Sequence, residues 1–206
     1  NRELSIGAEV EVVKMVGWQR NMLFPATGYP WVFPSPNMPS FMTALVYPGQ
    51  VIWEGTTVSE ARGTTLPVEV FGAPFLDHRE VLDFLRSTEL PGCTLRPLRF
   101  EPTSGKWMGQ GCAGFQMHVT DPVAFKPYRT SLALLQAIRS LYPEPFAYKP
   151  PPYEYEFERL PMDLIIGDRS VREALENGMP IVELEQGWQG ELEEYRQRCR
   201  AVLLYD

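Results

Sequence analysis

The chain has 206 residues, 44% hydrophobic and 22% charged, the balance of a globular protein that can bury a core. Its 26 acidic and 19 basic side chains give a net charge of −7, and the basic residues are scattered, which excludes the clustered Lys and Arg that nucleic-acid phosphates require. Cys93, Cys112 and Cys199 are too few and too widely spaced for a disulfide framework or a zinc site, and no window approaches the roughly 18 apolar residues of a membrane span.

In chain order, residues 9–14 alternate Val10 and Val12 with charged neighbours, a strand signal. Residues 17–37 form a long loop dense in aromatics and Pro, among them Trp18, Tyr29, Trp31 and Phe33. A short helix is expected over 39–47, stopped by Pro48-Gly49, then a buried strand at Val51-Ile52-Trp53 and a polar run from Glu54 to Thr65. Residues 77–88 read as a helix opened by Asp77 and ended by Pro91-Gly92, and 93–100 and 111–119 read as strands. Residues 127–142 carry Tyr128, Leu132, Leu135, Ile138 and Tyr142 at spacings of three and four, an amphipathic helix. A Pro-rich loop over 143–154 precedes a short helix at 169–177, a last helix over about 180–199, and a closing strand at 202–205. Helices and strands alternating with long loops predict an α/β to α+β layered fold, with a boundary at Gly72-Ala73-Pro74. The opening Asn1-Arg2-Glu3 reads as the start of a processed or truncated product.

Several segments stand out together: Ser35-Pro36-Asn37-Met38-Pro39-Ser40, Leu45-Val46-Tyr47-Pro48-Gly49, Glu54-Gly55-Thr56-Thr57-Val58-Ser59, Arg62-Gly63-Thr64 and Phe71-Gly72-Ala73-Pro74. Downstream come Arg99-Phe100-Glu101-Pro102, the stretch Gly114 to Asp121, and Val202-Leu203-Leu204-Tyr205. This series resembles the NamZ-type exo-β-N-acetylmuramidases, once catalogued as a domain of unknown function, along nearly the whole chain. The resemblance implies a Rossmann-like catalytic domain whose last portion is residues 1–71, followed by a smaller α+β C-terminal domain over 72–206. It implies release of β-linked N-acetylmuramic acid from non-reducing ends of peptidoglycan fragments, no metal or nucleotide cofactor, and an extracytoplasmic location. It further implies that an N-terminal portion absent from this sequence holds most of the catalytic glutamates.

The residues support candidate roles of their own. A glycosidase needs two carboxylates flanking the scissile bond. Glu54 follows an apolar run and precedes a hydroxyl-rich one, so it is the candidate catalytic acid; the alternatives are a contact to the substrate or to a group that touches it, and structural hydrogen bonding to the following loop. Arg62 is the candidate for the lactyl carboxylate of N-acetylmuramic acid, because a guanidinium grips a carboxylate with two parallel bonds; the alternative is a salt bridge to Glu54, Glu60 or Glu69. Asn37, Thr56, Thr57, Ser59 and Thr64 are candidates for sugar hydroxyls and the acetamido group, or else for turn hydrogen bonds. Trp31 is the candidate stacking platform, or else pins its loop. His118 lies on the more polar face of its strand and is a candidate substrate contact, a hydrogen-bonding residue under a loop rather than a base. Gly109 to Gly114 matches GxGxxG, but a loop precedes it and a strand follows, so it is no dinucleotide fingerprint. Two other functions stay open: a muramyl-glycan binding module without chemistry, and a structural interaction domain.

Overall fold

The computed structural model describes residues 4–205. Trp31–Gln189 forms one compact unit; the described residues up to Pro30, together with those from Gly190 on, form a second.

In the larger unit, helix α1 (Phe41–Gln50) begins where the Ser40 hydroxyl accepts the Thr43 N–H at 3.1 Å, satisfying one of the unpaired donors of the first turn. The Glu69 carboxylate accepts from Ser40 Oγ (2.8 Å) and Thr43 Oγ1 (2.5 Å), placing a negative charge at the positive end of the helix. The expected stop at Pro48-Gly49 and strand at 51–53 are both corrected. The helix runs through Pro48 to Gln50 and passes into a 3-10 helix, Val51–Gly55. Packing explains this. A Cβ at Gly49 would lie 2.1 Å from the Pro127 carbonyl oxygen, so glycine lets α1 sit directly on the next long helix. Trp53 stacks on Phe71 (5.0 Å, 13°) and its indole donates to Gln50 Oε1 at 2.7 Å, which fixes a helical turn in a β-prone sequence.

Strands β1 (Val70–Ala73), β2 (Cys93–Phe100) and β3 (Cys112–Val119) form an antiparallel sheet in the order β1-β3-β2. Gln116 pairs with Val70 on one side and Arg96 on the other. The boundary expected near Gly72 falls inside β1, where Gly72 pairs with Gly114. Helix α2 (His78–Phe84) is capped by Asp77 and prolonged by a 3-10 turn to Ser87. Helix α3 (Pro127–Leu141) carries the centre of the core with Leu132, Leu134, Leu135 and Ile138, all essentially inaccessible. Helices α4 (Pro161–Ile166), α5 (Arg169–Glu176) and α6 (Ile181–Gly187) complete the unit, and α7 (Gln189–Arg200) follows. The architecture is thus mixed α and β, with seven α-helices and one small sheet among the described residues.

The single helix expected over 180–199 is broken at Trp188, whose ring packs edge-on against Tyr128 at 5.7 Å. No residue of α7 is buried, so the apolar positions along it face no core. The strands expected at 9–14 and 202–205 do not form; among the described residues neither has a ladder partner. In the smaller unit Tyr205 instead meets Trp18 edge-on at 4.8 Å and accepts the Met15 N–H at 2.8 Å.

Candidate active site

Three stretches of the larger unit converge. The first is the 3-10 helix ending at Gly55 with the turns through Thr64, the second is the loop 102–110, and the third is the loop 147–154. Short hydroxyl side chains shape the first. Thr56 Oγ1 donates to the Trp53 carbonyl (3.1 Å) and accepts the Val58 N–H (3.1 Å). Ser59 Oγ accepts the Ala61 N–H (3.0 Å); Thr64 Oγ1 donates to the Ala61 carbonyl (2.7 Å) and accepts the Leu66 N–H (3.2 Å). Ala61 is held at a φ of +57° between these turns, which turns Arg62 toward Glu54 and Glu60. Gly63 locks the second stretch against the first: its carbonyl accepts from Thr103 N (3.0 Å) and Oγ1 (2.7 Å), and a Cβ there would lie 2.4 Å from Ser104 N. The third stretch is held by Thr56 bridging Tyr148 and by the Lys149 N–H donating to the Gly55 carbonyl at 2.8 Å.

The result is a row of alternating charges. Arg62 Nη2 donates to Glu54 Oε1, and Arg62 Nε donates to Glu60 Oε1 at 2.9 Å. Lys106 Nζ donates to Glu60 Oε2 (2.8 Å) and to the carbonyls of Trp53 (2.5 Å) and Val58 (2.9 Å). Tyr153 donates its hydroxyl to Glu54 Oε2 at 3.2 Å. Burial alone would raise the Glu60 carboxyl, but Lys106 and Arg62 outweigh it and hold it below the usual range. The opposite balance holds on Lys106, where burial wins over the pull of Glu60 and Glu54 and the ammonium is lowered. For Arg62, Glu54 and Glu60 outweigh burial and raise it. Burial, then the Glu54 charge, pushes the Tyr153 phenol up to about 12, so it remains a proton donor. Tyr47 is raised for the same two reasons, with Arg62 opposing.

Glu60 is nearly inaccessible and saturated by two cations, whereas the Glu54 side chain is 20% exposed. Glu54 is therefore the reachable carboxylate of the row. Both its oxygens accept hydrogen bonds, one from Arg62 and one from Tyr153. Arg62 adopts the salt-bridge alternative: two carboxylates already neutralise it, which leaves little attraction for a third.

Of the other candidates, Thr56, Ser59 and Thr64 make turn hydrogen bonds, and Thr57 pins the third stretch through Pro145 O (3.3 Å) and Ala147 N (3.1 Å). Trp31 turns its indole to the Met38 carbonyl (3.0 Å) and meets Phe41 edge-on, which anchors its loop; Asn37 is half-buried in that same loop. His118 accepts from Arg96 Nε (3.3 Å) on β2, away from the charge row. Sequence reasoning named Glu60 only as an alternative partner of Arg62 and missed Lys106, Tyr153 and Tyr47. Lys106 and Tyr153 sit in loops with no periodicity, and only folding brings them to residue 54. Among the described residues no group of three or more His, Cys, Asp or Glu is placed to hold a metal ion, and no helix is long and apolar enough to cross a membrane.

A second feature borders the row. Trp107 has a φ of +60°, rare for a bulky residue and costing on the order of 1–3 kcal/mol, and is held there by its indole donating to the Thr57 carbonyl at 2.7 Å. It walls a cavity of about 540 Å³ with Thr57, Ala147, Tyr148, Lys149 and Pro150.

Residues 45–205 match the family model described as exo-β-N-acetylmuramidase NamZ, C-terminal, and residues 1–42 match that of the NamZ N-terminal region. The peptidoglycan β-N-acetylmuramidase NamZ of Bacillus subtilis is 38% identical over 205 residues, covering 100% of this chain and 48% of that protein. The chain therefore spans about half the length of that relative. Among solved structures, a DUF1343 family protein of Bacteroides fragilis aligns with a TM-score of 0.79 at 24% identity, covering 92% of this chain and 49% of the other. A second from the same organism aligns at 0.54 and 23%, covering 84% and 43%. At these identities the solved structures speak for the fold alone.

Proposed function

The chain belongs to the NamZ family of exo-β-N-acetylmuramidases, and on that premise we propose that it forms one wall of a site releasing β-linked N-acetylmuramic acid from non-reducing ends of peptidoglycan fragments. The observation that carries this reading is the 38% identity, across the whole chain, to a peptidoglycan β-N-acetylmuramidase. The geometry is compatible with it. Glycoside hydrolysis uses two carboxylates, and the charge row offers one within reach, Glu54, with Glu60 enclosed by Arg62 and Lys106. The second carboxylate then comes from a Rossmann-like catalytic portion, as the resemblance implies, and acts together with this wall. Glu54, oriented by Arg62 and Tyr153, bonds a substrate hydroxyl or steadies charge that develops at the sugar ring. The chemistry takes place outside the cytoplasm, where the polymer lies.

A second reading, a muramyl-glycan binding wall without chemistry of its own, is favoured by the two hydrogen bonds that Glu54 accepts. Incubation of the whole protein with the disaccharide of N-acetylmuramic acid β-linked to N-acetylglucosamine, with products resolved by mass spectrometry, tests the proposal. Free N-acetylmuramic acid is the expected product. Binding without cleavage would favour the second reading, and neither binding nor cleavage would refute both.

A further inference from the structure

Arg62 is neutralised by Glu54 and Glu60, so among the described residues another cation is the better match for the lactyl carboxylate that distinguishes N-acetylmuramic acid from N-acetylglucosamine. Lys106 is ruled out by the same logic, because its ammonium is enclosed by Glu60 and two carbonyls. Lys149 differs from both. It is exposed, and among the described residues no carboxylate pairs with it. Its backbone N–H donates to the Gly55 carbonyl, so the chain at Lys149 runs directly alongside Glu54, and Tyr153 of the same loop reaches back to the Glu54 carboxylate.

The cavity that Lys149 borders has the walls a pyranose requires. Trp107 offers a large rigid apolar surface, fixed by its bond to the Thr57 carbonyl and by an edge contact with Phe75 at 6.2 Å. The volume of about 540 Å³ lies within the roughly 300–1,000 Å³ usual for small-ligand sites. The loop presenting Trp107 is closed on itself by Gly109 N to Pro102 O (2.9 Å) and Gln110 N to Trp107 O (2.9 Å), so the platform exists before a ligand arrives. A cation that no carboxylate among the described residues pairs, beside an aromatic wall and next to the reachable carboxylate, fits an acidic sugar better than a neutral one.

We propose that the cavity between Trp107 and Lys149 is the subsite for the lactyl-bearing sugar, with Lys149 Nζ holding the lactyl carboxylate and the Trp107 ring covering the sugar face. The assignment rests on the muramidase reading for its ligand, and binding can be read separately from turnover. The test is a titration of the chain with free N-acetylmuramic acid and, in parallel, N-acetylglucosamine, following the indole N–H signal of Trp107 by NMR and assigning it with Trp107→Phe. The expected result is a saturable shift with N-acetylmuramic acid, at least several-fold weaker affinity for N-acetylglucosamine, and about a tenfold loss for the acidic sugar alone in Lys149→Ala, restored by Lys149→Arg. A Trp107 signal unmoved by either sugar, or equal affinity in wild type and Lys149→Ala, would overturn it. Cleavage of a chromogenic β-N-acetylmuraminide by the whole protein separates the two claims. Turnover with an unmoved Trp107 signal would reject this subsite and keep the enzymatic reading; binding as described without turnover would do the reverse.

Discussion

Replacing Lys106 with Met keeps most of the aliphatic volume and removes three hydrogen bonds at once, to the Glu60 carboxylate and to the carbonyls of Trp53 and Val58. Removing one member of a buried ion pair costs roughly 3–5 kcal/mol. Here the cost is smaller, because Glu60 keeps its bond from Arg62 and the Lys106 side chain is 25% exposed, so water can reach the vacated acceptors. The estimate is about 2–3 kcal/mol, which for a chain of this size lowers Tm by about 5–10 °C. Urea unfolding followed by tryptophan fluorescence gives the free-energy change, and calorimetry gives Tm. In the double variant Lys106→Met/Glu60→Gln the losses should fall short of additivity by at least about 1 kcal/mol, since the second change removes the charge the first leaves unpaired. A loss below about 0.5 kcal/mol, or strict additivity, would refute the view that this pair holds the loop 102–110 against residues 53–60.

Glu60 is held below the usual carboxylate range in the fold, so its stabilisation is complete above the unfolded value near 4.3 and is lost as pH falls through the lower folded value. The urea midpoint of the wild type should therefore drop more steeply in this acid window than that of Glu60→Gln; parallel curves would contradict the assignment. Gly49→Ala should destabilise by about 1–3 kcal/mol despite alanine's better helix propensity, because the added methyl meets the Pro127 carbonyl; a stabilised variant would show that α1 and α3 are not in close contact there. Tyr153→Phe should lower kcat/KM on a muramyl substrate about five- to tenfold with little change in Tm, the effect of one lost bond to Glu54; unchanged kinetics would remove Tyr153 from the site.

What the sequence revealed depended on local regularity. Helix α3 was legible because apolar residues at spacings of three and four run along its length; β3, buried along most of both faces, shows no one-sided burial. Val51-Ile52-Trp53 misled because three consecutive apolar residues bury equally well in a strand or a helical turn, and the Gln50–Trp53 bond and the Phe71 stack decide between them. Residues 9–14 alternate like a strand, but a strand needs a partner that no local signal supplies. Glu54 and Arg62 were legible as neighbours in a polar run, yet their pairing with each other was one of two open alternatives. Lys106, Lys149 and Tyr153 lie 44 or more positions further on, in loops whose approach to residue 54 is set by hydrogen bonds to Trp53, Gly55 and Val58.

The central claim is that Glu54 belongs to the working surface of a β-N-acetylmuramidase. Chromophore release from a β-N-acetylmuraminide, compared between the whole wild-type protein and Glu54→Gln at matched stability, tests it most directly. The wild type should release the chromophore and the variant should lose at least about 100-fold, the scale of one group removed from stabilisation of charge at the reacting centre. Release within a few-fold of wild type by Glu54→Gln would contradict it.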